Sequence, residues 1–105
     1  MLVALLTLLP APASAQEAVA TYGAADAPRT LLLRGTTDIA AFAPVVEAFA
    51  ARAPALAIRY EQWGSNDLYR LAAEACAGDG VAADMVISSA VDLQTRLVND
   101  GCAQP

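Results

Sequence analysis

Three times along the chain, a short apolar run gives way to a polar loop and then to an amphipathic stretch. The apolar runs cover residues 31–33, 56–60 and 85–87, and the loops cover 35–38, 64–67 and 88–92. Repeated strand-loop-helix units of this kind predict a parallel α/β layer, a three-layer sandwich with helices on both faces of the sheet. Such a layer gathers its loops at the carboxyl edge of the sheet, against helix N-termini, where α/β proteins bind ligands.

The apolar runs differ in ways that order the strands. Leu31-Leu32-Leu33 and Met85-Val86-Ile87 are apolar on both faces, as buried parallel strands are. Leu56, Ile58 and Tyr60 alternate with Ala57, Arg59 and Glu61, a period-2 pattern with one wetter face that predicts an edge strand. Two buried strands and one edge strand give the spatial order 2-1-3. Right-handed crossovers then put the first helix on one face and the second and third on the other. The far side of the third strand stays open.

The helices carry their own signals. Phe42, Val45, Val46 and Phe49 recur at i, i+3, i+4, i+7 and predict one apolar helix face. Pro44 interrupts that pattern, which predicts a short turn over 38–42 and a main helix from about Pro44 to a stop at Pro54. Ser65-Asn66-Asp67 heads a second helix with Leu68, Leu71, Ala72 and Ala75 inward, closed by Gly78-Asp79-Gly80. A third helix carries Leu93, Leu97 and Val98 inward and ends at Asn99-Asp100-Gly101.

Length and composition narrow the field. The 105 residues allow one small domain. Hydrophobic residues make up 57%, but much of that is Ala, which favours helix and buries little area. Eleven acidic residues face six arginines with no Lys or His, a net charge of −5. That balance argues against nucleic acid and anionic membranes as partners. Without His the chain also lacks the commonest general base and a common metal ligand.

Residues 1–15 read as a secretory signal peptide. Residues 2–9 form a short apolar region, Pro10 and Pro12 break it, and Ala13-Ser14-Ala15 is a small-residue cleavage site. The apolar stretch is too short to span a bilayer. Its amino end carries no Lys or Arg. Residues 16–28 then form a flexible Ala-rich leader, and 29–105 the folded part.

The loops hold the candidate chemistry. Thr36 and Thr37, Ser65 and Asn66, and Ser88 and Ser89 occupy equivalent places after the three strands. Hydroxyls and free N–H groups at a helix N-terminus suit phosphate or carboxylate. Ordinary helix capping uses the same residue types. No G-x-G-x-x-G and no G-K-[ST] occurs, so neither a dinucleotide fingerprint nor a phosphate-binding loop is present. Trp63 beside the second loop is either a stacking surface or a packing anchor. Asp38, Glu61, Asp67 and Asp92 fall near the same edge, but their spacing has no metal-loop or catalytic signature and reads as solvated helix-end acids. Cys76 and Cys102, the only cysteines, fall near the C-terminal ends of adjacent helices, which favours a disulfide in an exported chain.

The stretch from Arg34 to Pro105 resembles the periplasmic substrate-binding proteins of ABC transporters, particularly the ferric-iron-binding and phosphoglycerate-transport regulatory types. The resemblance is carried by Arg34-Gly35-Thr36-Thr37-Asp38, by Phe42-Ala43-Pro44 through Phe49, by Ala83-Asp84-Met85-Val86-Ile87-Ser88-Ser89-Ala90-Val91-Asp92, and by Leu97-Val98-Asn99-Asp100-Gly101. It implies the N-terminal half-lobe of a type II periplasmic-binding-protein fold, with the solute held in a cleft between two lobes. It implies no catalysis and no cofactor. Residues 29–105 would be a truncated first lobe, and the tyrosines that hold iron in iron-binding members would fall beyond residue 105. The implied function is capture of a small anionic or metal-chelating solute, as in iron or organophosphate uptake, and its delivery to an ABC permease in the inner membrane. By position, the cleft-facing residues would be Thr36, Thr37, Ser65, Asn66, Ser88 and Ser89. Two other readings compete: a flavodoxin-like or other doubly wound enzyme domain binding a phosphate ligand, and a non-functional gene fragment.

Overall fold

The computed structural model describes residues 16–105. The signal-peptide reading of residues 1–15 lies outside the described residues. The elements in chain order are β1 (Gln16–Tyr22), β2 (Arg29–Gly35), α1 (Ile39–Arg52), β3 (Leu56–Trp63), α2 (Ser65–Cys76), β4 (Met85–Ile87) and α3 (Val91–Asn99).

The sheet has four strands in the order β1-β3-β2-β4. β2 pairs in parallel with β3 on one side and β4 on the other, so these three stand in the order 2-1-3 within a longer sheet. β1 pairs antiparallel with β3, with Val19 opposite Glu61 and Tyr22 opposite Ile58. Two expectations are corrected here. Residues 16–22 are a strand, not part of a flexible leader, and the sheet is mixed rather than all parallel. β3 is therefore internal, and its alternation has a different cause from an exposed edge.

That cause is the charge on its second face. Ile58 and Tyr60 point toward α1, where Val46, Ala50 and Ile58 form a buried cluster with Tyr22, Leu33 and Phe42 packed against it. Phe42 and Tyr60 meet with ring centroids 5.1 Å apart in a tilted arrangement. On the other face Glu61 is buried in an ion pair with Arg34, its direct neighbour across the β2–β3 ladder. Of the two polar residues in the alternation, Arg59 is exposed and Glu61 belongs to a buried charge network.

α1 begins at Ile39, several residues before the expected start, and runs unbroken through Pro44. Pro44 is the sixth helical residue and removes the ladder bond to the Ala40 carbonyl, and the packing of Phe42 and Val46 on either side of it carries the helix through. The four expected apolar positions split. Phe42 and Val46 face the sheet together with Ala50, whereas Val45 and Phe49 are exposed by 59% and 49%. The buried line follows i, i+4, i+8, and Val45 and Phe49 sit one residue to its side. Leu68 of α2 and Leu97 of α3 are the buried anchors of the opposite face, while Val98 turns outward.

Cys76 and Cys102 are joined in a disulfide, with Cα atoms 5.3 Å apart. The bond ties the end of α2 to the turn after α3. Gly78 and Gly101, both at positive φ, turn the chain out of those two helices.

Candidate functional site

The carboxyl ends of β2, β3 and β4 share one edge, and the antiparallel β1 brings its amino end to it as well. Two of the three expected loops are joined there. The Thr36 N–H donates to the Ile87 carbonyl at 3.1 Å. The Thr36 hydroxyl oxygen accepts the Ser89 N–H at 3.2 Å, and the Ser88 hydroxyl accepts the Ala90 N–H at 3.1 Å. Ser65 and Ser88 border one closed crevice with Leu68, Leu93 and Leu97, too tight to hold a water molecule. Thr36, Ser65 and Ser88 are half-buried, and Thr37, Asn66 and Ser89 are exposed. Thr36, Ser65, Ser88 and Ser89 thus come together across the tops of β2 and β4. Asn66 stands apart on the first turn of α2.

Side-chain capping does not account for these residues. The N-cap positions are Asp38, Gly64 and Ala90, and none makes a side-chain capping bond. For α2 and α3 the reason lies in the sequence, because Gly64 and Ala90 carry no acceptor.

Beneath the 36–38 loop lies a second layer that sequence reasoning missed. The Tyr60 hydroxyl donates to the Thr37 carbonyl at 2.6 Å, and Tyr60 is 1% exposed. Burial raises the Tyr60 pKa above its ordinary value, and the nearby Asp38 and Tyr22 add to the rise. Gln62 is also buried and bonds to Glu17, Asp38 and the Ile39 N–H. The signal for it was in the sequence. Gln62 shares the strand parity of Ile58 and Tyr60, so a polar amide falls on the core-facing row where the strand meets the edge.

The four acids do not cluster. Glu61 lies on the α2/α3 face, where one carboxylate oxygen accepts Arg34 Nε at 2.9 Å and Trp63 Nε1 at 3.2 Å, and the other accepts Arg59 Nε at 3.0 Å. Burial pushes the Glu61 carboxyl up, but these three hydrogen bonds and the Arg34 charge outweigh it and hold its pKa below the usual value. Arg34 also donates to the Val81 carbonyl at 2.8 Å, pinning the segment before β4. Trp63 is therefore an anchor in this network. Asp67 pairs with Arg70 in α2, and Asp92 sits in the first turn of α3. Among the described residues no group of three or more Cys, Asp or Glu side chains is placed to hold a metal ion. No helix among them is long and apolar enough to cross a membrane.

Three parallel strands within a mixed sheet bring these loops to the carboxyl edge, where α/β proteins bind ligands. The chain is similar to a solved substrate-binding protein. That structure is the substrate binding protein of the ABC transporter from Agrobacterium tumefaciens, matched at 34% sequence identity and a TM-score of 0.71. The match covers 80% of this chain and 26% of that one, so the chain spans about a quarter of its length. No family model and no curated protein matches. The fold described above is thus shared with part of a substrate-binding protein.

Proposed function

We propose that the chain forms part of the first lobe of an extracytoplasmic solute-binding protein serving an ABC importer. The observation that carries this reading is the 34% identity, over 80% of the chain, to a substrate-binding protein of the same fold. In this reading the protein is periplasmic, performs no catalysis and hands its solute to a membrane permease. The solute meets the carboxyl edge of the sheet through Thr36, Thr37, Ser65, Asn66, Ser88 and Ser89, and a second lobe closes over it. The solute is small and anionic or metal-chelating. Its negative groups are received at α2 and α3, whose N-termini have no side-chain cap.

The test is a thermal-shift screen of the purified chain against phosphate esters, carboxylates, sulfate and ferric chelates, followed by calorimetry on any that bind. Thr36→Ala combined with Ser88→Ala should weaken binding of a positive compound by tenfold or more, since each hydrogen bond to a charged group is worth about 1.5–3 kcal/mol. A double variant that binds as wild type does while melting much lower would make these residues purely structural.

A further inference from the structure

We infer that Gln62 is the positioning residue of the carboxyl edge: it sets the pose of the 36–38 loop and withholds the N-terminus of α1 from the solute. This rests on the reading above that the edge faces solute. Gln62 is 7% exposed, at the end of the core-facing row of β3. Its amide offers two N–H donors and a carbonyl acceptor, and the structure uses all three groups. Nε2 donates to Asp38 Oδ1 and to Glu17 Oε2, each at 2.8 Å. Oε1 accepts the Ile39 N–H at 2.9 Å. These partners come from β1, from the loop after β2 and from the start of α1. Gln62 therefore joins three elements at the point where the solute-facing loop begins.

The chemistry of the junction demands an amide. Two carboxylates converge on one nitrogen, and only a group with two donors holds both while leaving an acceptor for Ile39. Glu has no donor when ionised, and Lys has no acceptor. Asn has the right groups on a side chain one methylene shorter.

The consequence for binding concerns α1. A helix N-terminus attracts anions through its free N–H groups. Three of the first four N–H groups of α1 are taken: Ile39 donates to Gln62, and Ala41 and Phe42 both donate to the Asp38 carbonyl at 3.0 Å. The Glu17 and Asp38 carboxylates flank the same point. Solute near α1 therefore meets the Thr36 and Thr37 hydroxyls, and any anionic group is steered toward α2 and α3.

Amide hydrogen exchange on the purified chain tests this without a solute. In Gln62→Ala, exchange at Ile39 and at residues 36–38 should rise about tenfold or more, the equivalent of one lost hydrogen bond, while Val46 and Ala50 in the α1 core keep wild-type rates. With inorganic sulfate as the probe, the Ile39 amide resonance should stay still in wild type and move in Gln62→Ala. Unchanged exchange at Ile39, or an equal rise at Val46 and Ala50, would overturn the inference.

Gln62→Glu is the near-isosteric control if the alanine variant does not fold. Glu17 from β1, Asp38 ahead of α1 and Tyr60 on β3 itself are the titratable groups around it. The introduced carboxyl, held protonated, restores only one of the two donors, so the variant should come closest to wild type in acid and lose further melting temperature as pH rises toward 7. A difference that does not vary with pH would count against the assignment. The exchange and melting readings are taken on the unliganded chain and sulfate serves only as an anion probe, so a failed solute screen leaves them standing and their failure leaves the functional reading standing.

Discussion

Gly35 shows how one residue ties the core to the edge. A Cβ there would meet the Tyr60 hydroxyl at 2.6 Å and the Tyr60 ring at 3.0 Å. Gly35→Ala should therefore cost about 1–3 kcal/mol by overpacking. Tyr60→Phe should cost about 1 kcal/mol through the lost bond to the Thr37 carbonyl. The atom nearest the new methyl is the one that Tyr60→Phe removes, so the double variant should lose less than the two singles together. A urea double-mutant cycle measures that coupling, and strict additivity would contradict it. The Arg34–Glu61 pair makes a second prediction at this scale. Side-chain exposures of 10% and 9% place it among buried pairs, where deleting one partner costs about 3–5 kcal/mol. Glu61→Ala should fall in that range by urea denaturation. The Glu61 pKa is lowered in the fold, so its contribution is present above the ordinary value of 4.5 and is lost as pH falls through the lower folded value. Wild type should therefore lose its advantage over Glu61→Ala on acidification below pH 4.5.

Among the elements, α2 and α3 depend most on a covalent tie. They pack side by side, and the Cys76–Cys102 bond closes a separation of 26 residues. By the chain-entropy argument a loop of this size is worth about 3.5 kcal/mol. Reduction, or Cys76→Ser with Cys102→Ser, should lower stability by that order, read from urea midpoints with and without reductant. The loss should be greatest at the 88–92 segment, which α3 carries. Three strands and three helices were legible because each has strong contrast between apolar and polar positions. β1 was not. Its inward row is Ala18, Ala20 and Tyr22, and its outward row includes Val19, so the two faces differ little in hydropathy. Its place comes from antiparallel pairing with β3 some 40 residues along the chain. The extent of α1 was misjudged because Pro44 is a strong local signal that tertiary packing of Phe42 and Val46 overrides.

For the whole molecule, the outer side of β4 is the unfinished boundary. Among the described residues no strand pairs with it, and Met85, Val91 and Val98 are exposed beside it by 58%, 72% and 36%. An unpaired strand edge beside apolar side chains invites association. Sedimentation velocity across a concentration series should show reversible self-association that Met85→Lys suppresses. A monomer at all concentrations would show that the short β4 and the net charge of −5 suffice to keep copies apart. With Val46, Ala50 and Ile58 as the buried cluster on one face of the sheet and Leu68 and Leu97 as the buried helix anchors on the other, unfolding free energy should sit at the low end of about 5–15 kcal/mol.

The sequence by itself determined the parallel strand-helix units, the loops at the carboxyl edge and the pairing of two cysteines. Each follows from periodicity, from local turn chemistry or from counting, and these act over a few residues. Tertiary structure alone decided that β1 closes the sheet beside β3, that Glu61 is buried against Arg34, and that the 36–38 loop rests on Tyr60 and Gln62. These contacts join residues 23 to 47 positions apart, and their energies depend on burial and register. A carboxylate, an amide or a phenol reads alike in sequence whether solvated or enclosed. Only the folded chain, by removing water and supplying partners, assigns each its role.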